Sequence, residues 1–360
     1  MRVAQIIDSM AAGGAERLAL NYANGLAHQI ELSALIVTRH EGALNNLVDK
    51  KVSYLLLNKT STFDLKAIFK LKRFIKSNKI DLVHAHGTSF FIAVLLKIVY
   101  PKIKIIWHEH YGARANQRQF QNPILLLSSL FFSLVFVVNH QLEEWAKRSL
   151  FTKNVFYIPN FAVLDDLPGQ TILRGESGKR IVCLANLKSP KNHGFLLDAF
   201  KNLAIAKSGW SLHFIGKDYQ DSYSEDLKRT INANELTENV FLYDAKDDIK
   251  NILSQATIGV LASTHEGFPL TILEYGLAEL PVIATNVGYC GTIIKDEFSG
   301  LLFSPLNLYD LESQLKKMIG SESLRAEFAL HLNQSVSTLY AKETIMKLIL
   351  LQYQSVIYGF

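Results

Sequence analysis

Short runs of consecutive apolar residues alternate along this chain with longer stretches whose apolar residues recur at helical spacing. Residues 3–7 predict a buried strand, 15–27 a helix and 32–37 a second strand. A helix over 63–77 leads into a strand at 80–84, and 104–107 and 134–138 read as further strands. A connector follows at 157–169, after which the pattern restarts: strand 180–184, helix 194–203, strand 210–215, strand 240–243 and helix 247–255. Two more buried-strand patterns, 258–262 and 280–285, flank a helix-like run. Strands that are apolar throughout and alternate with helices belong to parallel sheets covered on both faces. The expected fold class is α/β, with two Rossmann-like parallel-sheet domains facing a cleft in which a ligand would bind. The domains are expected at 1–162 and 163–343, with a largely apolar terminal helix over 341–360.

Composition narrows the class. The 360 residues suffice for two α/β cores, nearly half are apolar, and charged residues make up 20%, so the chain is folded rather than disordered. The two cysteines, Cys183 and Cys290, form neither a disulfide framework nor a metal-ligand spacing, which fits a reducing compartment. Residues 1–8 begin a strand and show no charged leader with a cleavage site, so a cytoplasmic location is expected. The net charge of +5 is uneven: residues 1–170 hold 20 Lys/Arg against 12 Asp/Glu, and the remainder 18 against 21. A basic first half suits an anionic partner or surface. No recognition motif accompanies it, so nucleic acid is not an expected partner.

Two segments bear on membranes. Residues 123–138 are apolar but number 16, short of the roughly 20 needed to cross a bilayer. They are expected to split into a buried helix and a strand. The helix at 63–77 sets Lys66, Lys70, Arg73 and Lys76 near one another, with Leu65, Ile68 and Phe69 elsewhere on its surface. It is either a basic amphipathic helix lying on anionic lipid, peripheral to the inner face of the cell membrane, or a solvated helix with its stripe in the core.

The segment Ser263-Thr264-His265-Glu266-Gly267-Phe268-Pro269-Leu270-Thr271-Ile272-Leu273-Glu274 carries the chemistry. It follows a strand, turns at Gly-Phe-Pro and enters a helix, placing two carboxylates eight positions apart. Helix-start N–H groups favour a diphosphate, and ionised carboxylates accept hydrogen bonds from sugar hydroxyls. Together these features read as a sugar-nucleotide site. In this EGFPLTILE element, and in GGAER, HAHG, WHEHYG, IPN, LANLKSPKN, FIG, PVIAT and SGLLF in that order, the chain resembles the retaining glycosyltransferases of family 4, which have the GT-B fold.

That resemblance implies a metal-independent, retaining glycosyltransferase acting in bacterial capsule, O-antigen or exopolysaccharide biosynthesis, without a cofactor. Its partners would be a nucleotide-diphosphate-sugar donor and a glycan or lipid-linked glycan acceptor. Glu266 would face the transferred sugar and Glu274 the ribose hydroxyls, with the backbone of Phe268, Pro269 and Leu270 beside the phosphates. Lys191 would neutralise the leaving diphosphate, and Gly216 would offer a backbone contact to the nucleotide. Asn186 stands where the family commonly has Arg, and Thr292 where it often has Glu. Either Lys188 substitutes for the missing cation or Asn186 hydrogen-bonds a phosphate oxygen. The terminal helix, over 344–360, would return to the first domain.

In the first half, Gly13-Gly14-Ala15-Glu16-Arg17 opens a helix after the first strand, and the resemblance brings Gly14 to the donor's reacting end. Two H-x-H patterns, His84/His86 and His108/His110, sit at strand ends, where four imidazoles raise the question of zinc, although no further ligand pattern completes a site. The resemblance puts His86 on the acceptor side and His110 where it can donate to the sugar or the leaving phosphate. His84 and His108 are expected on the opposite strand faces, packed in the core. A GT-B nucleotide-sugar epimerase and a non-catalytic sugar-nucleotide-binding subunit are the alternatives.

Overall fold

The computed structural model describes residues 1–118 and 121–359. The chain divides into two compact units, Met1–Phe161 with Lys342–Phe360, and Ala162–Ala341. The first unit holds strands β1 (Arg2–Ser9), β2 (Leu32–His40), β3 (Ser53–Leu56), β4 (Leu82–His86), β5 (Lys104–Glu109), β6 (Leu134–Val137) and β7 (Val155–Tyr157). All pairings are parallel, in the order β3-β2-β1-β4-β5-β6-β7. The second unit holds β8 (Arg180–Leu184), β9 (Ser211–Ile215), β10 (Val240–Tyr243), β11 (Ile258–Leu261), β12 (Val282–Thr285) and β13 (Leu301–Phe303), parallel in the order β10-β9-β8-β11-β12-β13. Each sheet reverses its direction of growth once, between β1 and β4 and between β8 and β11. At such a switch point the neighbouring connections leave to opposite faces and open a ligand crevice at the strand carboxyl ends.

The apolar runs became strands because both sheet faces are covered. Val3, Ala4, Ile6, Leu35, Ile36 and Val37 are fully buried, as are Ile181, Val182, Val260 and Ile283 in the second sheet. Capping side chains set several helix starts. Asp64 accepts a hydrogen bond from Ala67 N, so the helix expected at 63–77 begins at Leu65 and leaves Phe63 outside it. The terminal helix runs Lys342–Tyr358 and buries Ile345, Met346, Ile349 and Tyr353 in the first unit; the predicted last residue, Phe360, lies outside the described residues.

One expectation fails in part. Residues 123–138 do split, into a helix at Pro123–Ser128, a 3-10 turn at Ser129–Phe131 and β6. The helix is only half buried, however: Ile124 and Leu127 are exposed, as is Leu130 on the 3-10 turn. Six residues give too few turns for both faces to find partners, so Leu125, Leu126 and Ser128 turn inward and the opposite side stays exposed. Among the described residues no helix is long and apolar enough to cross a membrane.

Candidate functional site

In the second unit, the loops after β8 and β11 meet at the switch point. Lys191 Nζ donates to Glu266 Oε1 at 2.6 Å. The loops are also joined through the backbone, where Thr264 N donates to Pro190 O at 2.9 Å. The helix Leu270–Leu277 then locks onto the end of β8: Thr271 Oγ1 donates to Leu184 O at 3.2 Å, and Leu184 N donates to the Tyr275 hydroxyl at 2.8 Å. Pro269 is the N-cap and makes no side-chain cap hydrogen bond. Pro269 has no N–H of its own, so the amides of the following residues are what this terminus offers an anion. Phe268 stacks on Tyr289, with ring centroids 5.1 Å apart, which fixes the turn. Glu274 lies one turn into the helix and is buried.

Gly288 explains how the third loop approaches this turn. Its φ is +54°, and a Cβ there would lie 1.9 Å from Glu266 O. Only glycine permits both the left-handed backbone and the contact. Gly216, at the end of β9, is equally tight: a Cβ would lie 2.2 Å from Ala185 O. Beside it, Asn186 Oδ1 accepts from Lys217 N at 2.9 Å. Asn186 thus staples the loops after β8 and β9 through its amide oxygen. Lys188 Nζ sits over the Tyr219 ring, 5.6 Å from its centroid, and Lys191 is the cation paired with Glu266. Thr292 is exposed on the short helix Cys290–Ile293. Burial pushes the thiols of Cys183 and Cys290 up to about 12, so neither is a nucleophile at neutral pH.

In the first unit, Gly13 is the N-cap and Gly14 the first residue of the helix Gly14–Leu26, again without a side-chain cap. The histidines depart from expectation. His84 and His108 do not face away from His86 and His110: residues two apart on a strand share a face, and all four rings form one stack. Register places Gln5 beside His84 and His86 beside His108. Ring centroids are 4.4 Å apart for His84–His86, 5.2 Å for His86–His110 and 4.1 Å for His108–His110. His86 is buried and touches His110, which alone of the four is partly exposed.

Two residues that the sequence reading passed over complete this cluster. Gln5 Oε1 lies 2.8 Å from His86 Nε2, and Gln5 Nε2 donates to the Tyr353 hydroxyl at 3.1 Å. That hydroxyl is 2.5 Å from His84 Nδ1, His84 Nε2 is 3.2 Å from His108 Nδ1, and His86 Nδ1 is 3.0 Å from His110 Nε2. A polar Gln inside an apolar strand was the available signal. His84, His86 and His108 have ligand atoms within 4.8 Å of one another, a spacing that could hold a metal ion. Both ring nitrogens of His84 and of His86 are already hydrogen-bonded within the cluster. Burial holds His84, His86 and His108 well below the usual histidine range and lowers His110 to about 3, so all four are neutral. At the end of β1, Thr38 and Thr88 hydroxyls donate to the two oxygens of Asp8, another polar group not anticipated.

Comparison with known proteins gives the same two halves. Residues 12–166 match the family model described as Glycosyltransferase Family 4, and residues 170–330 match Glycosyl transferases group 1. The chain is 24% identical over 353 residues to the amylovoran biosynthesis glycosyltransferase AmsD of Erwinia amylovora, covering 95% of this chain and 96% of that one. It is 22% identical over 314 residues to an Escherichia coli UDP-Gal:alpha-D-GlcNAc-diphosphoundecaprenol alpha-1,3-galactosyltransferase, covering 79% and 78%. Among solved structures it resembles Anabaena HepE in complex with UDP and glucose, with a TM-score of 0.81 and 15% identity over 99% of this chain and all of that one.

Proposed function

We propose that this chain, which belongs to the GT-B glycosyltransferases of the family 4 and group 1 kind, moves a sugar from a nucleoside-diphosphate donor to an acceptor hydroxyl with retention and without a metal ion. The observation that carries the reading is the Lys191–Glu266 pair at the β8/β11 switch point, beside a helix start whose N-cap, Pro269, makes no side-chain cap hydrogen bond. Lys191 and the first amides of Leu270–Leu277 meet the diphosphate, and Glu266 meets the sugar. Glu274 takes the ribose hydroxyls and Gly216 a backbone contact to the nucleotide. As the glycosidic bond breaks, negative charge grows on the leaving diphosphate, and a fixed cation stabilises it more than it stabilises the ground state. The departing oxygen takes the acceptor's proton, and the acceptor oxygen bonds the anomeric carbon on the same face. The hydrogen bonds that already engage the buried imidazoles support the metal-free reading.

A surface-polysaccharide acceptor, in part lipid-linked, is supported by the names of AmsD and of the E. coli galactosyltransferase. One face of the first unit supports lipid proximity. Phe63, Leu65 and Phe69 are exposed beside Lys66 and Arg73, and Ile98, Ile124, Leu127 and Leu130 are exposed on helices packed in sequence from there. Basic and apolar groups displayed together suit an anionic bilayer surface.

The test is incubation with nucleotide sugars, with and without an extract of lipid-linked and free glycans, followed by NMR of the product. A new glycosidic bond with the donor's anomeric configuration supports the proposal. An inverted product refutes retention. An isomerised donor without any acceptor identifies an epimerase instead.

A further inference from the structure

We propose that Gln5 is a positioning residue that holds His110 as its Nε2–H tautomer, so that Nδ1 presents a lone pair and accepts a hydrogen bond from a sugar or acceptor hydroxyl. The tautomer assignment stands on the cluster's geometry; the hydroxyl partner rests on the glycosyl-transfer reading above. An amide oxygen can only accept, so the contact with Gln5 Oε1 requires a proton on His86 Nε2. A neutral imidazole carries one proton, which leaves His86 Nδ1 as an acceptor. The proton in the 3.0 Å contact must then belong to His110 Nε2, and His110 Nδ1 is bare.

The other arm follows the same logic. Gln5 Nε2 donates to Tyr353, whose single hydroxyl proton is then directed at His84 Nδ1. His84 Nε2 therefore donates to His108 Nδ1, and the remaining proton of His108 sits on Nε2, which is buried without a hydrogen-bond partner. One amide thus orders four imidazoles into the same tautomer. Among the described residues His110 Nδ1 meets no hydrogen-bond partner, and His110 is the member of the cluster that is partly exposed. The depressed basicity of His110 agrees with a neutral ring. This reverses the expectation that His110 donates to the sugar or to the leaving phosphate.

The tautomers are read directly by NMR of the full chain labelled with 15N-histidine, because protonated and bare ring nitrogens resonate far apart. All four histidines of the cluster are expected as Nε2–H. Finding His110 as Nδ1–H or as an imidazolium would overturn the proposal, and a reversed Gln5 amide would show itself as four Nδ1–H rings. Gln5→Glu sharpens the test. A carboxylate accepts from both His86 and Tyr353, so His86 and His110 should stay Nε2–H while His84 and His108 switch to Nδ1–H. No switch would mean that position 5 does not set the chain. Gln5→Leu should reduce kcat about fivefold, the worth of one neutral hydrogen bond, with Gln5→Glu restoring it. Since the tautomers are read in the free protein, absence of transferase activity would sink the function reading and leave this one standing.

Discussion

Lys191 and Glu266 are ion-paired at 2.6 Å, with side chains 24% and 10% exposed, and they join the loops after β8 and β11. A cation held so close to a carboxylate in a shielded site is positioned before any substrate arrives. Lys191→Ala is expected to lower kcat by about two to three orders of magnitude, as loss of a charge-stabilising donor does elsewhere. It also strands the Glu266 carboxylate, at roughly 1–3 kcal/mol. The double variant with Glu266→Gln should regain that stability in urea denaturation and remain inactive. Recovery of activity would show that the pair only holds the loops together.

Gly288 packs against the backbone carbonyl of Glu266. With φ at +54° and Glu266 O where a Cβ would sit, Gly288→Ala must displace one loop. A loss of about 1–3 kcal/mol is expected from backbone strain alone, with a further loss of activity as Glu266 moves. Chemical denaturation and initial-rate assays on one preparation would measure both.

Two buried histidines, His110 in the cluster and His193 at the start of the helix His193–Asn202 of the second unit, make stability depend on pH in a defined direction. His110 is lowered to about 3 and His193 to about 4 from an ordinary 6.5, with burial the main cause in both. Between these values and 6.5 the unfolded chain binds protons that the folded chain refuses. Their contribution is therefore full above 6.5 and lost as pH falls toward 3–4. Each such group costs about 1.4 kcal/mol per pH unit within its window. Urea midpoints taken from pH 7.5 to 4.5 should fall from about 6.5 downward. Replacing His193 with Gln should flatten the slope, and a flat wild-type profile would contradict the assignment.

On the first unit, the exposed Phe69 and Leu127 belong to the apolar and basic face. Flotation with vesicles containing anionic lipid should carry the protein upward, and neutral vesicles should carry less. Phe69→Glu combined with Leu127→Glu should abolish flotation and leave the circular dichroism spectrum unchanged, because neither side chain packs in the core.

Much of this was legible from residues alone. Both sheets follow from apolar runs such as Ile258-Gly259-Val260-Leu261, and the EGFPLTILE element led directly to the loop that holds Glu266. Strands β3, β7 and β13 were not anticipated, being edge strands of three or four residues with too little pattern to register. The helix Phe90–Val99 was missed because Phe-Phe-Ile-Ala-Val-Leu-Leu is apolar at almost every position and shows no helical stripe. Asn186 was legible as a departure, whereas its work for the Lys217 amide depends on how two strand ends approach. The histidine stack was misjudged through the two-residue period itself, and its link to Tyr353 lies 269 positions from His84, beyond any local pattern.

The central claim, that the second unit grips a nucleoside diphosphate, is tested most directly by thermal-shift titration with UDP, GDP, ADP and TDP sugars on the wild type and on Glu274→Ala. One nucleotide should raise Tm in a saturable manner, worth about 2.7 kcal/mol at 100 times Kd. Glu274→Ala should keep its fold and lose most of that shift. No stabilisation by any of the four, or an equal shift in the variant, would contradict the account.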